Sequence, residues 1–190
     1  MSEIITPTEA IDASVTRGAK EVESVNVTGK YVAQCFDAHG NLKWEEEYNN
    51  LVTTQGKNHL LDTYLSGSAY TAKVFLGLIS STGYSAVAAG DTANSHTGWT
   101  EFSGYSQTTR RPPSFAAASS GSKATSAAVT FSITSANTVK GTFLIANSGT
   151  GSAASKGGFS GRLYSAGLFS GGDKTVGNGD VVSITYTASA

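Results

Sequence analysis

Charge, cysteine and proline are all scarce in this chain. Charged residues make up 14% of its 190 positions, against about 25% in an ordinary soluble domain. Thirteen Lys and Arg nearly balance fourteen Asp and Glu, for a formal net charge of −1. That argues against the basic face that marks a nucleic-acid binder, so no direct nucleic-acid partner is expected. The single cysteine, Cys35, cannot close an internal bridge, and nothing calls for an oxidising compartment. Long apolar runs are missing too. Val74-Phe75-Leu76 and Phe143-Leu144-Ile145-Ala146 are strand-sized, well under the roughly 18 residues of a membrane span, so no membrane is expected. Met1 to Ala10 reads MSEIITPTEA, without the basic start and apolar core of a secretory signal.

In place of charge the chain carries Ser, Thr, Ala and Gly. Such a surface is polar but only weakly self-repelling. It suits a protein that touches other protein over much of its surface, and it is equally the composition of turn-rich β proteins. A body of this length buries roughly 70% of the surface its unfolded chain exposes, and so needs neither disulfide nor metal.

The first 24 residues stand apart. Glu3, Glu9, Asp12, Arg17, Lys20, Glu21 and Glu23 are spread through them, with no aromatic residue and no sustained period. Alone they bury too little to offset their ordering entropy. They read either as a free tail or as an extended N-terminal arm, residues 1–24, that orders on a partner. The second is the expectation here. Its apolar contacts would be Ile4, Ile5, Ile11 and Val15.

From residue 25 to 190 the pattern is β. Val25, Val27, Tyr31 and Ala33 share one alternating register. The turn-rich Asp37-Ala38-His39-Gly40-Asn41 then precedes Leu42, Trp44, Glu46 and Tyr48, as in a hairpin. Glu45-Glu46-Glu47 reads as the solvated end of a strand, because adjacent carboxylates there point to opposite faces. Thr53 to Leu65 is the one good helix candidate. Thr53 or Thr54 caps it, Leu60, Leu61, Tyr64 and Leu65 make its apolar stripe, and Gly67 ends it. Such a helix is expected to plug the open end of a sandwich. Further strands are expected at Lys73–Ser80, Trp99–Ser106, Ser126–Thr134, Thr138–Ala146, Gly158–Phe169 and Asp180–Ala188. Ala116–Ser126 and Asn147–Gly158 read as mobile loops. No βαβ rhythm appears. The expected fold is all-β: a sandwich of about eight or nine strands with one short helix.

Motifs that carry chemistry fail on inspection. Gly149-Thr150-Gly151-Ser152-Ala153-Ala154 fits a dinucleotide loop in letters, but Ser155-Lys156-Gly157-Gly158 is no helix to hold a pyrophosphate, and no cofactor is expected. Gly158-Phe159-Ser160-Gly161 lacks the glycine that a nucleophile elbow needs two places after its serine. His39, His59 and His96 show no ligand spacing, so no metal is expected. Asn26-Val27-Thr28 is a glycosylation sequon in form only. Arg110-Arg111, beside Pro112-Pro113, is the one concentrated basic spot. Guanidinium forks of this kind suit interfacial ion pairs, so both arginines are candidate interface residues. An enzyme acting on polysaccharide would need two carboxylates, for which Asp91 and Glu101 are the only nominees. A sugar-binding surface would draw on Tyr84, Trp99 and Tyr105. No catalytic residue is assigned.

The block Asn50-Leu51-Val52-Thr53-Thr54-Gln55-Gly56-Lys57-Asn58-His59-Leu60-Leu61-Asp62 is similar to a segment of small virion proteins of tailed bacteriophages. Phe75-Leu76-Gly77-Leu78-Ile79, Gly90-Asp91-Thr92, Trp99-Thr100-Glu101, Tyr105 and Arg110 follow in the same order. So does the ending, Leu168-Phe169 with Gly179-Asp180-Val181-Val182-Ser183-Ile184-Thr185-Tyr186-Thr187. The chain from Asn50 to Ala190 resembles the jelly-roll cement, or head-decoration, proteins of short-tailed phages. The resemblance implies a jelly-roll-like β-sandwich on the outer surface of a virion, made in the host cytoplasm. It implies a non-enzymatic structural role, clamping neighbouring copies of the phage major capsid protein. It also implies self-association, as a trimer before a dimer. A tail or baseplate component, or an adhesin for a host glycan, is the alternative.

Overall fold

A computed structural model describes residues 26–65, 73–147, 153–158 and 160–190. The expected arm, with Ile4, Ile5, Ile11 and Val15, therefore lies outside the described residues, as does Gly67. The elements are β1 (Thr28–Phe36), β2 (Leu42–Val52), α1 (Thr54–Leu65), β3 (Val74–Ser80), β4 (Glu101–Phe102), β5 (Ser122–Ala124), β6 (Val129–Ser132), β7 (Asn137–Ala146), β8 (Arg162–Leu168), β9 (Lys174–Val176) and β10 (Val181–Ser189). The fold is an all-β sandwich with one short helix, and every strand pair in it is antiparallel.

The hydrogen-bonded order is β4-β3-β7-β8-β2-β1-β10-β5, with β6 also on β10 and β9 also on β7. Strand β2 joins the two layers. Its first part, Leu42 to Asn49, pairs with β1, and its last three residues, Asn50 to Val52, pair with β8. The facing surfaces share one core. Tyr31, Cys35, Phe131 and Ile184 come from one layer, and Leu76, Leu78, Val139 and Leu144 from the other.

The β1–β2 hairpin forms as its residues suggest. The Asp37 carboxylate accepts the backbone N–H of His39 at 2.8 Å and of Asn41 at 2.9 Å. Gly40 takes a φ of +84°, which an L side chain resists. In β1 the buried residues Tyr31, Ala33 and Cys35 alternate with partly exposed ones, the mark of a strand with one wet face.

Strands β3 and β7 read differently, as near-continuous apolar runs, because both of their faces are covered. Leu76, Leu78 and Leu144 point into the sandwich. Phe75, Ile79, Phe143 and Ile145 point outward into a second cluster with Ala93, Trp99, Ala153 and Leu163. That outer cluster is roofed by the connection between β3 and β4 and by residues near Ala153.

Ten strands form among the described residues, in line with the expected sandwich of about eight or nine. Several other expectations need correction. Ser122–Ala124, expected in a mobile loop, pairs with Thr187–Ser189 of β10. Only Glu101 and Phe102 of the stretch Trp99–Ser106 form a strand, paired to Leu78 and Ile79. Ala153, also expected in a mobile loop, is fully buried. The helix packs on β8 at Leu163 and Tyr164, and Leu60, Leu61 and Leu65 of its apolar stripe are exposed.

Candidate assembly interface

The helix begins where expected. Thr53 Oγ1 accepts the N–H of Gly56 at 3.0 Å, the N-cap bond, and donates to the carbonyl of Leu163 at 2.6 Å. Gln55 Oε1 accepts the N–H of Leu163 at 2.7 Å and of Ala93 at 3.1 Å. Gly56 lies directly on β8: a Cβ there would stand 2.2 Å from the carbonyl oxygen of Tyr164. The buried face of the helix is thus Thr53, Gly56 and His59. Burial, and then the charge of Arg162, hold the His59 imidazole below its ordinary pKa.

This arrangement turns the leucines outward. Leu61 is 55% exposed and Leu65 73%, with Leu60 also exposed. Leu60 and Leu61 form one wall of a groove of about 220 Å³, closed by Asn26, Val27, Val52 and Lys57. Large side chains at this exposure, gathered on one helix face, mark a surface suited to contact with another apolar segment. Leu42, at the start of β2, is a separate exposed leucine. These residues were legible only as a core stripe. The signal pointing the other way was Gly56, a glycine inside a helix, which marks close approach of another backbone.

The arginine spot is not an interface of two free guanidiniums. Arg110 and Glu101 are only 4% and 5% exposed at their side chains, with Nη2 donating to Oε2 at 2.9 Å. Nε also donates to Oε1 at 3.1 Å. Nη1 donates to the carbonyl of Ala153 at 2.8 Å and Nη2 to that of Gly158 at 2.9 Å. The guanidinium sits over the ring of Phe143, 5.2 Å from its centre. Arg110 is therefore a clamp within the chain that ties residues 153–158 to the outer face of the β3–β7 layer. Its neighbour Arg111 bridges Leu76 through its backbone, exchanging bonds of 2.7 and 3.1 Å. Its Nε is buried without a hydrogen-bond partner.

The carboxylates nominated for catalysis are likewise occupied. Asp91 Oδ2 accepts the indole N–H of Trp99 at 2.9 Å and the N–H of Ala88 at 3.0 Å. Glu101 is held by Arg110. A cavity of about 280 Å³ beside them is lined by Trp99, Glu101, Arg110, Phe143 and Lys156. The Lys156 ammonium already donates to the carbonyls of Ser103 and Tyr105 and lies 4.2 Å from the Tyr105 ring centre. Two of the three aromatics nominated for sugar stacking are also committed, while Tyr84 stays partly exposed beneath the Lys140 ammonium. Trp99 is 2% exposed and stacks on His96, and Tyr105 is buried against Phe131.

Among the described residues no three His, Cys, Asp or Glu side chains gather as a metal site. No helix among them is long and apolar enough to cross a membrane. Comparison with protein-family models, with curated proteins and with solved structures finds no match.

Proposed function

We propose that this chain is a virion structural protein that decorates a bacteriophage capsid from outside and stabilises it by clamping neighbouring major capsid protein subunits. The observation that carries the reading is the outward leucine face of α1. Leu60 and Leu61 of that face lie within Asn50–Asp62, the block that is similar to a segment of phage virion proteins. A sandwich whose buried ion pair and whose Tyr31, Tyr48 and Tyr186 hydroxyls are bonded internally offers a firm platform, and the leucine face offers apolar area to a partner. Specific interfaces bury about 1,600 Å² in total, so each clamp is modest and strength comes from repetition around a closed shell. The low charge of the chain suits such contact, because few ions need to be stripped of water.

Arg110 no longer belongs to the interface of this proposal, since its guanidinium is spent on Glu101. Copies of the chain would associate with each other at a symmetry point of the shell, as a trimer before a dimer.

Cosedimentation of the purified protein with empty phage heads, with isolated tails as control, tests the reading. Saturable binding to heads at a few copies per capsomer supports it. Binding to tails alone would move the protein to the tail or baseplate. Binding to neither, with capture on a glycan array, would make it an adhesin.

A further inference from the structure

We propose that the groove between α1 and the start of β1 is the docking site of the chain's own N-terminal segment, residues 1–25, in the free protein. This goes beyond the capsid reading and does not depend on it; on a capsid, the segment would have to leave the groove before Leu60 and Leu61 meet the partner.

Four observations carry the inference. The groove is apolar and unfilled by the described body: Leu60 and Leu61 form one wall, Val27 and Val52 the other. The described chain begins at Asn26, and Asn26 is itself part of the groove lining, so the preceding segment starts from within the site. The segment has ample reach. Twenty-five residues extend up to roughly 80 Å, whereas the twelve residues of α1 span about 18 Å. Its chemistry is complementary. Ile4, Ile5, Ile11 and Val15 are apolar, and Glu3, Glu9, Asp12, Glu21 and Glu23 outnumber Arg17 and Lys20. Among the described residues that line the groove, the charged side chain is Lys57. The nearby carboxylate of Asp62 lies 3.7 Å from the Arg162 guanidinium.

The tether selects the occupant. A segment joined to the edge of its own site is present there at an effective concentration on the order of millimolar, above that of any second copy in dilute solution. Residues 66–72, which follow the helix, contain one large apolar side chain, Tyr70, and offer less to bury.

Hydrogen exchange of the full chain, with no phage particle present, tests this apart from any capsid result. Amides in 1–25 should exchange at least about tenfold more slowly than a free chain, equivalent to about 1.4 kcal/mol. Leu61→Glu should return them to the free-chain rate while strand amides keep theirs. Leu42→Glu, at the other exposed leucine, should leave them slow. Replacing Ile4, Ile5, Ile11 and Val15 by Ser in the full chain should speed exchange within α1 and leave the strands unchanged. Free-chain rates in the unaltered protein would overturn the proposal, as would equal protection in Leu61→Glu. Protection that rises with protein concentration would assign the groove to a second copy. Slowed exchange confined to 66–72 would assign it to that segment. Either result removes the proposed occupant.

Discussion

Arg110 and Glu101 lose almost all contact with water on folding and recover their hydrogen bonds from each other and from the backbone of residues 153–158. A buried pair of this kind stabilises little against a well-packed apolar replacement, yet removing one member strands the other charge. Arg110→Met should therefore lower stability by about 3–5 kcal/mol, read as a shift in the urea midpoint. Arg110→Met with Glu101→Leu should recover much of that loss. Equal loss in both variants would mean that the backbone bonds to Ala153 and Gly158, not the charge, are what matter.

Two other single groups give tests of their own. Burial, and then the neighbouring Asp180, push the Cys35 thiol up to about 12. At pH 8 the thiolate is then roughly one part in ten thousand, and an aromatic disulfide reagent should label Cys35 only once the protein unfolds. Rapid stoichiometric labelling of the native protein would contradict this. The Lys174 ammonium, helped by Ser170 and Gly171, holds the Glu46 carboxyl below its ordinary 4.5. A depressed folded pKa contributes stability that is present above the unfolded value and lost as pH falls through the folded one. Stability should thus decline below about pH 4.5, and Glu46→Gln should flatten that acid limb in urea titrations at pH 3 to 6.

At the scale of elements, α1 holds the main lesson in what could be read beforehand. Its span and a threonine cap, at Thr53 or Thr54, were legible because helix starts carry local signatures. Its orientation was not, because Leu60, Leu61 and Leu65 form a stripe that would ordinarily face a core. Two contacts override the stripe. Gly56 lets the helix backbone rest on the carbonyl of Tyr164, and Thr53 and Gln55 bond to the backbone of Leu163. These depend on a strand more than a hundred residues away, which no local pattern encodes. The apolar runs of β3 and β7 were legible as buried strands, but not the second cluster that makes both of their faces buried. Ser122-Lys123-Ala124 and Lys174-Thr175-Val176 were too short for alternation to show, and only their partners β10 and β7 make them strands. Arg110 beside Arg111 read as a surface spot because the sequence does not display the Glu101 that meets it. A test of the helix follows. Gly56→Ala should be destabilising by about 1–3 kcal/mol, the cost of overpacking, although alanine favours helices. A stabilised Gly56→Ala would show that the helix can move off β8 at no cost.

At the scale of the whole molecule, two clusters share strands β3 and β7. Phe143 of β7 points into the outer cluster and its neighbour Leu144 into the sandwich core. The same division runs through β3, at Phe75 and Leu76. Loss of either cluster would leave these strands covered on one face only, so the two should not unfold separately. The chain carries a reporter in each. Trp44 packs against Phe169 at the sandwich core, and Trp99 against Phe143 in the outer cluster. Trp44→Phe and Trp99→Phe each leave one tryptophan, excited selectively over the tyrosines. Neither change alone settles cooperativity, because each costs its own packing. Within each variant, however, the fluorescence transition in urea should coincide with that of far-ultraviolet circular dichroism, the mark of a two-state unit. If the Trp99 signal moves at lower urea than the sheet signal, the outer roof is a separate layer that opens first. The connections that form it would then open without the sandwich, and the Arg110–Glu101 clamp would report on that local opening rather than on global stability.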